Sequence, residues 1–480
     1  MKAFRLFGSC LALCLTVSAA QAQNTAGEVE QIRRQLQQAN EAFQKAVENY
    51  RQVTESLNQR LEQLQPKDGR AAPPEPAKPP AAPGTNNVLA AAAAGTKPWS
   101  PSDPVRIGTA QNYIGVSFDT LVAAGYTTAK DVESLQLGGH DPKQRGFTVQ
   151  NLETTFDGKV DPYFRGQANI VLQIDPEGET TIEAEEAYLE TMALPWNLQV
   201  KAGQYFAEFG RLNPTHPHTW DFVDQPLVNG RFFGEDGLRN AGARVSWLVP
   251  TPFYSELFLG MQNSQGETAT SFRDSHEDSL RFGRPAVETR VKGFGDMLYV
   301  PRYVASFNLS DEHTVVAGAS GAFGPNASGT KTDTQIYGVD LFYKWKPRWH
   351  SKGFPFLSWQ TEAMYRRYEA GAFPGDVNNP ALPAETLRDW GLYSQLNWGF
   401  RRGWIASLRG DYVTGDKAAL NPDPDRDTRW RVAPALTYYP SEFSKLRLQY
   451  NYDDRDHIGV DHSVWLQFEY LLGTHAAHKF

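Results

Sequence analysis

Two imidazoles one residue apart, in His216-Pro217-His218, and a looser pair near the end of the chain, His475 and His478, come nearest to a metal-binding pattern. Histidine pairs ligate Zn²⁺ or Ni²⁺, but a closed zinc site takes about four ligands. Asp221 and Asp224 are close enough in sequence to complete the first pair. The competing reading is a polar loop stiffened by prolines and a solvated tail, and on that reading no metal and no cofactor is expected. The only cysteines, Cys10 and Cys14, fall in an N-terminal leader, so the exported chain has no thiolate chemistry and no disulfide. No Gly-x-Ser-x-Gly, His-Glu-x-x-His, phosphate-loop or dinucleotide-binding pattern occurs, so no catalytic residue and no enzyme activity is expected.

The elements that must position these residues fall into four stretches. Lys2 and Arg5, an apolar run from Leu6 to Val17, and Ala20-Gln21-Ala22 make residues 1–22 a secretory signal peptide. Removing Lys2 and Arg5 from the 47 basic residues, against 55 acidic ones, makes the exported chain more negative than the formal −8, which excludes nucleic acid as a partner. Over 26–65 apolar residues recur every three or four positions (Val29, Ile32, Leu36, Ala39, Phe43, Ala46, Tyr50, Val53, Leu57), with a stutter at Leu61 and Leu64. This spacing predicts an oligomerising α-helical coiled coil, the alternative being a single solvated helix. Residues 66–104 are a Pro/Ala-rich linker of polyproline character. From 105 to 480 the period changes to two.

Trp390-Gly-Leu392-Tyr-Ser394-Gln-Leu396-Asn-Trp398-Gly-Phe400 and Val464-Trp-Leu466-Gln-Phe468-Glu-Tyr470 put large apolar residues on one face and mostly small or polar ones on the other. About sixteen such strands can be counted, from 114–124 to 463–473. Every second connection is short (158–161, 193–197, 250–252, 310–312, 401–402, 440–442), while 125–145, 207–239, 263–297 and 369–388 are long. After the leader no run reaches the ~18 apolar residues of a membrane helix. Strand length, aromatic strand ends and one-sided short turns predict an all-β fold, a transmembrane antiparallel barrel with both ends in the periplasm. A soluble sandwich is the alternative.

Turned inward, the polar face would carry Arg165, Lys201, Arg244, Arg302, Lys344, Arg366, Arg409 and Arg447 as pore-lining residues. Glu153, Glu186, Glu190, Glu256, Asp340, Glu362, Asp411 and Glu469 would stand against them. So many charges predict a wet lumen, because desolvating them is costly, unless they pair along the wall. Their near balance sets no ion selectivity by itself. The long connection 207–239, folded inward, would narrow the pore and set Arg211, His216, His218, Asp221, Asp224, Arg231, Asp236 and Arg239 across it. Its other reading is an outer cap or subunit contact.

Leu198-Gln-Val-Lys-Ala-Gly-Gln-Tyr-Phe206 running into Glu208-Phe-Gly-Arg-Leu-Asn213 resembles the strand-then-turn segment of the phosphate-selective porin O and P family. Asp161-Pro-Tyr-Phe-Arg165 and Glu185-Glu-Ala-Tyr-Leu-Glu190 are similar to the same region. The resemblance is strongest over about 145–215. It implies a sixteen-stranded trimeric barrel whose third outside loop enters the channel, and an anion affinity resting on basic pore residues. The function expected is a passive channel for small solutes or ions, anions such as phosphate among them. Its setting would be the lipid of the outer membrane of a Gram-negative-type bacterium, with a periplasmic N-terminal extension. The alternative is an envelope tether, in which the coil binds peptidoglycan or another periplasmic partner and the barrel serves as an anchor.

Overall fold

The computed structural model describes residues 105–109, 112–274 and 280–473. The leader, the coil over 26–65, the linker over 66–104, His475 and His478 lie outside the described residues.

Period-2 alternation becomes a wall with two solvents. In Gly459–Leu472, Asp461, Ser463, Trp465, Gln467, Glu469 and Leu471 are buried, whereas Val464, Leu466, Phe468 and Tyr470 are exposed on the other side. An apolar face of this kind is stable against lipid. The wall consists of β1 (Tyr113–Thr127), β2 (Gly146–Lys159), β3 (Phe164–Ile174), β4 (Thr180–Thr191), β5 (Leu198–Phe206), β6 (Arg239–Leu248), β7 (Tyr254–Asn263) and β8 (Met297–Ser310). It continues with β9 (His313–Pro325), β10 (Asp333–Trp345), β11 (Phe356–Ala370), β12 (Glu385–Arg401), β13 (Trp404–Gly415), β14 (Arg429–Ser441), β15 (Ser444–Arg455) and β16 (Gly459–Leu472). Each strand pairs antiparallel with the next. The sheet closes where β16 returns to β1, with Ser463 opposite Thr127 and Leu472 opposite Phe118. A short strand, Val105–Gly108, pairs with residues 113–116 of β1, just past the point where β16 stops.

The sixteen candidate strands all lie on this wall, with boundaries shifted by a few residues. Stacked or tilted aromatic pairs mark both rims: Trp404 on Tyr438 and Trp398 on Phe400 at the short-turn end, Trp390 on Tyr412 and Trp430 on Tyr452 at the other. Such girdles sit where lipid meets water.

Besides register shifts at three hairpin ends, two bulges within the strands break the alternation. The β1–β2 register shifts so that Leu121 faces Asn151 while Val122 faces Val149, leaving Gln150 as an extra residue. The β3–β4 register shifts between Asn169–Glu186 and Ile170–Ala184, leaving Glu185 as the extra one. A bulge re-aims a side chain that strict alternation would send outward. Gln150 and Asn151, and likewise Glu185 and Glu186, are consequently buried together.

Candidate functional site

The connection after β5 leaves the wall and crosses the lumen. Its neck is tied by the Ala207 N–H donating to the Leu238 carbonyl at 2.8 Å. Asn213 clamps the same neck: its Nδ2 donates to the carbonyls of Ala207 (2.8 Å) and Leu238 (3.0 Å), and its Oδ1 accepts from the Leu238 N–H at 2.8 Å. Gly210, at φ +60°, takes a left-handed turn that suits a residue without Cβ. Its N–H donates to Ser320 Oγ at 3.1 Å, and the Leu212 N–H donates to Glu362 Oε1 at 2.8 Å. Farther along, Lys445 Nζ donates to the His218 carbonyl at 2.7 Å, and Arg447 Nη2 to that of Trp220 at 2.8 Å. The loop thus touches the wall on opposite sides. The inward-folded reading is the one the structure supports.

A seven-residue helix, α1 (Leu227–Phe233), is wholly buried. Its Leu227, Val228, Phe232 and Phe233 pack with Phe209 against inward-facing Val300, Ile336, Met364 and Val413. Each such side chain contributes about 1.5–3 kcal/mol on burial. The expected inner face of small and polar residues has an exception here, because the inner wall over β8 to β13 carries an apolar patch that seats the loop. Gly338 belongs to that seat: a Cβ there would lie 2.6 Å from the Phe209 ring. Gly338→Leu is expected to expel Phe209 and lower stability by about 1–3 kcal/mol, read as an earlier thermal transition in detergent. Gly410→Ala, where a Cβ meets nothing within 4 Å, should leave the transition in place.

The wet-lumen expectation also needs correction on one side. Along β11 to β16 most of the inward charges are buried and paired. Arg366 Nη2 lies 2.8 Å from Asp389, which also receives Arg426 at 2.7 Å. Arg409 bonds Asp224 at 2.7 Å and Asp411 at 2.8 Å, and Arg431 bonds Asp224 at 2.8 Å and Asp453 at 2.9 Å. Opposite charge and directed hydrogen bonds offset the cost of burying these ions. Arg447, buried with them, donates instead to Thr437 and Gln467. On the β3–β5 side and on β10 the inward charges keep some exposure: Arg165 with Glu190 at 3.7 Å, Lys201 with Glu208 at 3.8 Å, and Lys344. Arg244 reaches Glu208 at 3.5 Å and Arg302 reaches Asp340 at 2.7 Å.

The loop candidates separate rather than form one constriction. Arg211 donates to Gln360 Oε1 at 3.0 Å with its guanidinium 3.9 Å from the Phe342 ring centroid. Asp221, partly exposed, accepts from Gln395 and Asn397, each at 2.8 Å. Asp224 is buried in the arginine cluster. Burial pushes its carboxyl up, but Arg431 and Arg409 outweigh that and hold it at about 2. Arg231 is buried on α1 and donates to the Asp427 carbonyl at 2.8 Å. Arg239 is the first residue of β6 and is buried in an ion pair with Glu183. These two therefore face no open water path. Asp236, with Glu235, lines a narrow crevice that continues past His140 and Glu185 to Thr215 and Trp220.

His216 and His218 come to an acidic patch on β1, β2 and β4. Glu185 Oε2 lies 2.7 Å and Glu153 Oε1 3.6 Å from His216 Nδ1, with Glu186 Oε2 3.0 Å from its Nε2. His218 Nδ1 lies 3.3 Å from Glu153 Oε2 and 3.5 Å from Asp119 Oδ2. Burial alone would lower the His216 imidazole, but Glu153 and Glu185 outweigh it and raise its pKa well above the ordinary value. The sequence reading that Asp221 and Asp224 complete the histidine pair is corrected: both point to other walls, because the loop turns away after Trp220. Sequence reasoning passed over Asp119 and Glu185. Alternation along β1 places Asp119 on the inner face, whereas Glu185 faces in only because of the bulge.

No family model matches the chain. An uncharacterized protein of Aquifex aeolicus (strain VF5) is 33% identical over 373 residues, covering 72% of this chain and 73% of its own. This chain belongs to the family of that Aquifex protein. Among solved structures, this barrel is similar to the outer membrane channel DcaP of Acinetobacter baumannii. That match has 13% identity and a TM-score of 0.47 and covers 76% of this chain and 99% of the other. It is also similar to OmpT of Vibrio cholerae (8%, TM-score 0.46, 76% and 99%) and to Salmonella typhi OmpF in complex with daunomycin (13%, TM-score 0.42, 76% and 100%).

Proposed function

We propose that the chain is an outer-membrane porin, a passive channel for small hydrophilic solutes or ions whose bore is narrowed by the inward-folded loop. The observation that carries this reading is the division of the inner wall. One side is packed dry by the loop, and the other keeps half-exposed charges such as Arg165, Glu190, Lys201 and Lys344. Those charges line whatever water path the loop leaves. The leader (1–22), the coil (26–65) and the linker (66–104) complete the proposal as an exported chain with a periplasmic extension. A trimer is supported by a shallow outward groove of small residues (Gly158, Gly166, Ala168, Ala187 and Ala202) beside exposed Phe156 and Leu189, where a second copy could approach closely.

Six of the eight inward basic residues face carboxylates, which argues against a dense anion-binding ladder. Arg211, over the Phe342 ring, and Lys344, two residues farther along the same strand toward the short-turn end, form the local basic patch through which anions, phosphate included, would be favoured. Planar-bilayer recording tests this. The natural protein is expected to give discrete conductance steps. Arg211→Glu with Lys344→Glu should lower the anion-to-cation permeability ratio several-fold, read from the reversal potential with and without phosphate.

The dry packing on the β11–β16 side favours a second reading, an envelope tether with a blocked lumen. That reading predicts no current from the natural protein. It also predicts detachment of the envelope on deleting 26–65, a change that leaves conductance intact in a porin.

A further inference from the structure

The two histidines of the loop meet carboxylates of three wall strands in two overlapping triads. Asp119, Glu153 and His218 bring one ligand atom each within 4.8 Å of one another, and so do Glu153, Glu185 and His216. The two triads share Glu153, whose oxygens divide between them: Oε1 faces His216 Nδ1 at 3.6 Å, and Oε2 faces His218 Nδ1 at 3.3 Å. The imidazole rings stack with centroids 5.7 Å apart and an 18° interplanar angle, so both Nδ1 atoms address the same carboxylate.

Asp119 Oδ1, in the same cluster, is buried without a hydrogen bond. Asp119 is only 3% exposed and Glu185 2%. Glu185 Oε2 and His216 Nδ1 are paired at 2.7 Å across the loop–wall contact. Around the ligand atoms stands an outer ring of the kind that orients metal ligands. Glu186 holds His216 Nε2 at 3.0 Å, and His140 Nε2 lies 3.5 Å from Glu185 Oε1. Thr155 Oγ1 donates to Glu153 Oε1 at 3.0 Å, and Asn151 Nδ2 to Glu153 Oε2 at 3.3 Å. A carboxylate on the far nitrogen of a histidine fixes its ring and raises its strength as a ligand.

We propose that His216 and His218, with Asp119, Glu153 and Glu185, form a carboxylate-bridged site for divalent transition-metal ions that fastens the pore loop to β1, β2 and β4. Mixed imidazole and carboxylate donors match zinc, whereas calcium and magnesium prefer all-oxygen shells. Four buried carboxylates converge here, and a divalent ion would supply positive charge among them. The site depends on loop and wall alone and stands whether or not the barrel conducts.

Full-length protein in detergent, stripped with chelator and then dialysed against Zn²⁺, is expected to retain at least one zinc per chain by elemental analysis. Cobalt in its place should give the visible bands of nitrogen and oxygen ligation. Glu153→Gln, which removes the shared ligand, should abolish retention, and His216→Asn with His218→Asn should do the same. His475→Ala with His478→Ala should keep it. Heat-modifiable mobility on gels reports folding. If Glu153→Gln fails to fold, the histidine variant decides. Natural protein that retains no zinc overturns the site, as does zinc that survives loss of both loop histidines or disappears with the tail pair.

Discussion

A chain in which residues 211–235 are replaced by a short Gly-Ser link is expected to pass several times the current of the natural protein per channel. The replaced stretch contains the whole of α1 and the segment carrying His216 to Asp224, which occupy the lumen between walls on opposite sides. The join is geometrically easy, since the Ala207 N–H and the Leu238 carbonyl already meet at 2.8 Å across the neck. Removing the loop replaces packed protein by water along the bore, and the inner arginines left behind become solvated. Single-channel recording in planar bilayers measures the change. Unchanged conductance would place the ion path away from the loop. The deletion has a second consequence: Val300, Ile336, Met364 and Val413 lose the side chains that cover them, so the barrel should also melt earlier.

The second large effect is expected at Asp224. Its carboxylate receives Arg409 at 2.7 Å, Arg431 at 2.8 Å, Gln449 at 2.9 Å and Asn451 at 2.5 Å, and only 1% of its surface is exposed. Asp224→Asn leaves two buried guanidinium groups short of a counter-charge and should lower stability by about 3–5 kcal/mol. Combining it with Arg409→Gln should cost less than the sum of the two single changes, because the charge that needed a partner is then gone. Thermal unfolding of the four proteins in one detergent provides the cycle. Strict additivity would mean that the pair does not hold the loop.

Acid should act on the same contact. The folded carboxyl titrates at about 2, below its unfolded value of ~3.9. A group whose pKa is depressed on folding contributes stability that is complete above the unfolded value and lost as the pH falls through the folded one. The groups facing it are Arg409 and Asp411 on β13, Arg431 on β14, and Asp141 from the β1–β2 connection. The anchor should therefore be intact at neutral pH and released between about pH 4 and pH 2. Tryptophan fluorescence should follow that release, since Trp220 lies in the loop.

The barrel was legible because its signal is local. A strand with lipid on one face and protein or water on the other must alternate, and the turns between such strands declare which end they serve. Leu446-Arg-Leu448-Gln-Tyr450-Asn-Tyr452 carries this in seven residues, and β15 follows it. The entry of 207–239 into the lumen was legible as one of two readings, from length and aromatic content. Its landing points were not. Whether Asp224 serves His218 or Arg431 depends on how a flexible segment distributes itself over a closed wall, a contest among contacts more than a hundred residues apart. The inward Glu185 was hidden for a related reason: a single unpaired residue in the β3–β4 ladder reverses the direction that alternation assigns. Composition and periodicity thus determined a closed sheet with polar residues turned in and one long loop available to fill it. Tertiary packing alone decided which charges stay wet, which are locked in dry pairs, and that two histidines meet four carboxylates, because those outcomes turn on register and long-range fit that no short window of sequence contains.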